Sequence, residues 1–224
     1  MGRKRRGARE FVVLGLGRFG SSVARTLCGM GYGVLGVDCS EERVNAAAEF
    51  TTRAVQADTT DENALKALGV RNFDVAVVGI GDLQASIMTT MIVKELGVPY
   101  IVAKAVSELH GKVLARVGAD RVVYPERDMG TRVAHNLVSG NLVDYLELAP
   151  GISIVEVVAK PEFVGKTLRQ LNLRARYGIN ILAIRRGDSI NLGPGADDAI
   201  AEGDVLVAIG HDRDLEALES EDDG

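Results

Sequence analysis

Tryptophan is absent from this 224-residue chain, and the other aromatics are scarce, at 5 Phe and 5 Tyr. Scarce aromatics do not weaken a core that Val, Leu, Ile and Ala can fill, and hydrophobic residues still make up 46% of the chain. Such a composition suits a parallel α/β sheet, whose strands are buried on both faces. The 2 cysteines, Cys28 and Cys39, are too few for a disulfide framework, and their spacing fits no zinc module. With 5 prolines against 26 glycines the profile is not that of a low-complexity chain, which excludes disorder for the bulk. No apolar run reaches the ~18 residues that span a bilayer, and the basic start lacks the apolar stretch of a signal peptide. A soluble, reduced, cytoplasmic protein is expected, of one large or two small domains.

What charge there is sits unevenly within a net −5. Residues 1–9 carry five positives (Arg3, Lys4, Arg5, Arg6, Arg9) and no acid, while residues 214–224 carry six acids and no base. Both ends read as solvated tails, over residues 1–9 and 219–224. No aromatic or groove-reading partner lies near the basic arm, so nucleic acid is not an expected ligand. Contact of that arm with another protein or with anionic lipid stays open.

Between the tails, the first two-thirds alternates strand and helix. Apolar runs at 10–14, 33–37, 54–56, 73–78, 100–103 and 121–124 read as strands. The stretches between them have helical spacing, with Ser40 and Ser107 as caps and Thr59 with Glu62 at capping-box spacing. Pro125 fits the first turn of a last helix, to about Val138. This rhythm predicts a Rossmann-like, doubly wound parallel sheet over residues 10–138. Near residue 140 the rhythm changes. Ser139, Gly140 and Asn141 break the helix, and 139–150 reads as a linker ending in a Pro150–Gly151 turn. Strands at 152–159, 180–186, 189–192 and 204–209, with short helices at 166–171 and 212–218, predict a small α+β lobe over 151–218. A lobe that small often needs an oligomeric partner to complete its core.

Gly15-Leu16-Gly17-Arg18-Phe19-Gly20 is a G-x-G-x-x-G that follows a strand and opens a helix. Gly15 allows the tight turn, Gly17 lets phosphates approach the backbone, and Gly20 lets the helix pack on the sheet. Free N–H groups at the helix start then hold the anion. Asp38, at the end of the second strand, is placed to accept hydrogen bonds from ribose hydroxyls and to repel a 2′-phosphate, which disfavours NADP. A dinucleotide site needs no side-chain cation inside the loop, so Arg18 suits a more highly charged ligand such as ATP or ADP. A solvated loop residue, or one paired across a subunit contact, is the other reading of Arg18. Asp58 and Thr59, after the third strand, would edge the adenine. Ile80 and Gly81, after the fourth, would leave room over the phosphates, and Lys104 ends the fifth as a further cation.

Chemistry is harder to find. Tyr100 and Lys104 have Y-x-x-x-K spacing, but the pair works on one helix face, and here the segment reads as a strand that separates them by about 13 Å. His110, His135 and His211 show no metal-ligand spacing, and neither cysteine has a nearby His. A binding protein fits better than an enzyme.

Several segments together resemble the regulator-of-potassium-conductance family: GLGRFG at 15–20, Val37-Asp38, Lys104-Ala105, Gly118-Ala119-Asp120-Arg121-Val122, Pro125–Gly130 and the run from Leu171 to Gly178. The similarity is to the cytosolic regulatory subunits of bacterial potassium uptake systems and covers nearly the whole chain. The resemblance implies dimers assembled into an octameric ring, peripheral to the membrane beneath a KtrB- or TrkH-like potassium transporter. It implies ATP and ADP exchange in the crevice, with NAD(H) less favoured, Asp38 on the ribose and Arg18 on phosphates. Glu126 matches a family acid where Mg2+ or another cation binds at the subunit junction, although a Glu just after Pro125 also stabilises a helix start. In the second lobe Arg174, Asn180 and Ile181 match positions that bind cyclic di-AMP in some members, with Leu168, Ile181 and Pro194 as walls for the base. An ordinary dimer interface is the plainer reading of those residues. The alternatives to a regulatory subunit are a small NAD-dependent oxidoreductase and an NADH-reading repressor; residues 1–9 are too short to supply the winged helix that the repressor needs.

Overall fold

A computed structural model describes residues 9–138 and 142–219. The basic residues 1–8, the expected break at Ser139, Gly140 and Asn141, and the acidic residues 220–224 lie outside them. The chain divides into two compact units, 1–126 and 127–224.

The first unit alternates strand and helix throughout: β1 (Glu10–Leu14), α1 (Arg18–Gly29), β2 (Gly33–Asp38), α2 (Glu41–Ala48), β3 (Arg53–Gln56), α3 (Glu62–Ala67), β4 (Val75–Val78), α4 (Leu83–Glu95), β5 (Tyr100–Lys104), α5 (Glu108–Val117) and β6 (Arg121–Val123). The six strands are parallel, in the order β3-β2-β1-β4-β5-β6. Val12, Leu14, Val37, Ala76, Val78, Ile101 and Ala103 fill one face of the sheet. Val13, Val34, Val75 and Val77 fill the other, so the strands read as continuous apolar runs. Register decides the rest. Leu14 lies opposite both Val37 and Val78, and Val78 lies opposite Ala103. The next residue of each strand, namely Gly15, Asp38, Gly79 and Lys104, therefore falls in one row at the carboxyl edge. The strand order reverses beside β1, which is where open α/β sheets leave a crevice.

Two local expectations fail in this unit. The cap of α3 is Asp61, which accepts from Asn63 N–H at 2.8 Å, and not Thr59. Asp58 accepts from Thr60 N–H at 2.8 Å, and this turn delays the helix start by two residues and frees Thr59 for the interior. There the Thr59 hydroxyl accepts from the Thr89 hydroxyl at 3.0 Å. The fourth strand starts at Val75 and not at residue 73, because a 3-10 turn over Val70–Asn72 precedes it.

Helix α6 (Pro125–Val138) begins at the end of the first unit. The second unit then holds β7 (Leu142–Ala149), β8 (Ile152–Val158), α7 (Leu168–Leu171), α8 (Leu173–Tyr177), β9 (Asn180–Arg186), β10 (Ser189–Leu192), β11 (Val205–His211) and α9 (Asp212–Glu219). Its sheet is antiparallel, in the order β10-β9-β11-β8-β7. Residues 142–149, expected as linker, are the edge strand β7, paired to β8 across the Pro150–Gly151 turn. Val155, Val157, Ile184, Leu206 and Leu215 build the core. The fully buried Asp204 is forked by Arg186, with Nε and Nη2 each donating at 2.7 Å, and also accepts from Ala201 N–H at 2.8 Å. The expected helix at 166–171 is α7, and Asn172, left-handed at φ 48°, separates it from α8, a further short helix that was not expected.

Candidate functional site

The carboxyl edge of the parallel sheet opens into a crevice of about 820 Å³, within the range of small-molecule sites. Its walls include Gly15, Gly17, Arg18, Phe19, Asp38, Asp58, Thr59, Ile80, Gly81, Lys104 and Glu126, each singled out from the sequence. Gly20 sits just behind the wall. It is buried, and a Cβ there would lie 1.8 Å from the Gly15 carbonyl oxygen, so α1 can start this close to the strand end only with glycine. Gly15 is left-handed at φ +92°, and its Cβ would meet Ile80 Cγ1 at 2.8 Å. A Cβ on Gly17 would meet nothing within 4 Å, so this glycine leaves the approach to the loop open and is not demanded by packing.

Asp38 has protein partners that its sequence position did not suggest. Its side chain is buried, Oδ2 accepts from Leu16 N–H at 2.7 Å, and Oδ1 accepts from Ser40 N–H at 2.9 Å. One carboxylate thus ties the glycine loop to the start of α2. The Arg43 guanidinium lies 3.5 Å from Oδ2. Arg43, Cys39, Ser21 and Asp82 also line the crevice and were not foreseen. A signal for Arg43 existed: a cation in the first turn of a helix opposes the helix dipole, which suggests a local reason for it. Asp82 caps α4, accepting from Ala85 N–H at 2.8 Å.

At the other end, Lys104 is nearly buried and donates to Glu126 Oε1 at 2.7 Å. That hydrogen bond, with a backbone N–H and the charges of Lys104 and Arg18, holds the Glu126 carboxyl below the usual carboxylate range. The hydroxyl and then the N–H of Thr60 do the same for Asp58. Three cationic side chains (Arg18, Arg43, Lys104) and four carboxylates (Asp38, Asp58, Asp82, Glu126) therefore line one crevice. Glu126 by itself does not fit a cation site within one chain. It is already paired with an ammonium, and among the described residues no group of three His, Cys, Asp or Glu side chains is placed to hold a metal.

Tyr100 and Lys104 lie at opposite ends of β5, and Tyr100 is not among the crevice residues. In the second unit Leu168 opens α7, Arg174 lies exposed on α8, Asn180 and Ile181 begin β9, and Pro194 follows β10. A separate cavity of about 450 Å³ is walled by Val158, Pro161, Val164 and Gly203 among others, and by none of those five. Among the described residues no helix is long and apolar enough to cross a membrane.

Comparison with known proteins bears on this arrangement. A TrkA-N domain model matches residues 11–125, and a TrkA-C domain model matches residues 152–221. The Ktr system potassium uptake protein C of Bacillus subtilis (strain 168) is 49% identical over 212 residues, covering 94% of this chain and 96% of the relative. The Ktr system potassium uptake protein A of the same organism is 46% identical over 214 residues, covering 95% and 96%. Among solved structures, the GsuK RCK domain superposes with a TM-score of 0.67 at 22% identity, covering 96% of this chain. The chain spans about half the length of that structure, 47%, and shares its fold.

Proposed function

The chain belongs to the family of potassium uptake proteins built from a TrkA-N and a TrkA-C domain, and on that premise we propose that it is the cytosolic, nucleotide-reading regulatory subunit of a potassium transporter. It regulates transport and is not an enzyme. The observation that carries the nucleotide reading is the row of strand ends, which brings the glycine loop, Asp38 and Lys104 into one crevice of about 820 Å³.

Adenine nucleotides lie with the ribose at Asp38, the adenine edge toward Asp58 and Thr59, and the phosphates over Gly17 toward Arg18 and Lys104. A phosphate near Lys104 competes with Glu126 for the ammonium, so each ligand sets that pair differently according to its terminal charge. A ligand shifts a conformational equilibrium only by its differential affinity for the two states, and Arg18 supplies such a difference between ATP and ADP. Dimers of the chain form an octameric ring under a membrane potassium transporter. Mg2+ or a similar cation reaches Glu126 only together with nucleotide phosphate or a neighbouring subunit. In the second unit the exposed Arg174 and Asn180 suit the phosphate and adenine edge of cyclic di-AMP held between two copies.

Calorimetry of the intact chain with ATP, ADP and NADH tests this reading. Arg18→Ala is expected to lower ATP affinity about tenfold, on the scale of one charge-assisted phosphate contact, while ADP affinity stays within about threefold. Equal loss for both ligands would remove Arg18 from the discrimination. Failure of any adenine nucleotide to bind at millimolar concentration would remove the nucleotide reading itself.

A further inference from the structure

At the ribose end of the crevice the sequence suggests a lone carboxylate that turns away a 2′-phosphate, and the structure shows a different balance. The Asp38 side chain is 4% exposed, and its oxygens already accept the Leu16 and Ser40 N–H groups. Its charge is further met by the Arg43 guanidinium, 3.5 Å from Oδ2. The Arg43 side chain is 57% exposed and lines the crevice. The accessible charges at this end are therefore the Arg43 guanidinium and the exposed carboxylate of Asp58, whose Oδ1 already accepts from the Thr60 N–H and hydroxyl.

The position of Arg43 is fixed by the helix that carries it. Its N–H donates to Ser40 Oγ at 3.4 Å, in the first turn of α2. A cation in that turn works against the helix dipole, and at 57% exposure its pairing with Asp38 adds little stability. What the placement does supply is a planar fork of donors at the mouth of a crevice, the geometry that binds phosphate oxygens in pairs. The acids beside it on the helix, Glu41 and Glu42, are exposed and do not line the crevice.

Resting on the reading of the crevice as an adenine-nucleotide site, we propose that Arg43 sets its specificity at the ribose, admitting adenosine nucleotides that carry a phosphate on the 2′ oxygen alongside those with a free diol. Asp38 then anchors the glycine loop and takes the 3′ hydroxyl, while Arg43 turns from Asp38 to the 2′ substituent. Leu16 and Ser40 keep the carboxylate satisfied when the guanidinium leaves.

The decisive pair of ligands is 5′-AMP and adenosine 2′,5′-bisphosphate, which differ by one phosphate. Calorimetry on the full chain is expected to give affinities within about fivefold of each other. Arg43→Ala is expected to weaken the bisphosphate at least tenfold and 5′-AMP by no more than threefold, and Arg43→Lys to recover part of the loss. Thermal unfolding of both variants, expected within about 2 °C of the parent for an exposed position, shows that the fold is intact. Rejection of the bisphosphate by a hundredfold or more in the parent, or equal weakening of both ligands by Arg43→Ala, overturns the proposal and leaves the nucleotide site standing. If neither ligand nor ADP binds, the site and the proposal fall together.

Discussion

Three glycines in one loop have three different physical duties, and substitution separates them. Gly20→Ala would drive a Cβ to 1.8 Å from a backbone oxygen, so α1 must leave the sheet. A loss of about 2–4 kcal/mol and a lowered thermal midpoint are expected, in the range of severe overpacking. At Gly17 a methyl group meets nothing within 4 Å. Gly17→Ala is expected to unfold within about 2 °C of the parent while ADP binding weakens about tenfold, because the methyl stands where phosphate approaches the N–H groups. Scanning fluorimetry and calorimetry on the two variants check this contrast, and equal thermal behaviour would contradict it. The motif and the turn and packing roles of Gly15 and Gly20 were legible because each of those roles follows from a missing Cβ. The anchoring of the loop by Asp38 was not, since the bond from Leu16 N–H joins residues 22 apart in sequence.

Among the elements, α4, α5 and the turn after β5 are stitched by one buried imidazole. His110 Nδ1 accepts from Val106 N–H at 3.3 Å, which leaves the Nε2 proton to donate to Ser86 Oγ at 2.9 Å. The Ser86 hydroxyl in turn donates to Leu83 carbonyl oxygen at 2.9 Å. Both ring nitrogens are thus committed to the neutral form, and burial pushes the imidazole pKa below its ordinary 6.5. The unfolded chain then takes up the proton first. This contribution to stability is full above about pH 6.5 and is lost as pH falls toward the folded value. The thermal midpoint is expected to fall between pH 7 and 5.5, and His110→Gln, which keeps a donor and an acceptor without a titrating ring, is expected to flatten that fall. An unchanged pH slope in the variant would exclude His110 as its source. From the sequence, His110 was only one histidine on a helix, because its partner lies 24 residues away. Helices and strands of the first unit were legible from apolar period and caps. β7 was not: Leu142–Ala149 mixes polar and apolar residues as an exposed edge strand does, and carries no uninterrupted apolar run.

At the scale of the whole chain, two units with separate cores and unlike sheets are expected to unfold in two steps. A ligand held by the first unit stabilises that unit alone. At a hundred times its Kd, ADP adds about 2.7 kcal/mol, which raises one calorimetric transition by roughly 10 °C and leaves the other in place. Both transitions moving together would show that the units unfold as one. The balance of charge in the crevice bears on the setting in which such a protein works. Three cations against four carboxylates leave its lining at a net −1, although it is proposed to hold a polyphosphate. Its grip then comes from donors aimed at short range and not from a broad positive field. Short-range pairs inside a cleft are screened far less than long-range attraction, whose reach at physiological ionic strength is about 8 Å. A regulator of potassium uptake works in a medium whose salt content that uptake changes. A nucleotide held there as proposed is expected to show little drift in affinity as the salt around it rises and falls.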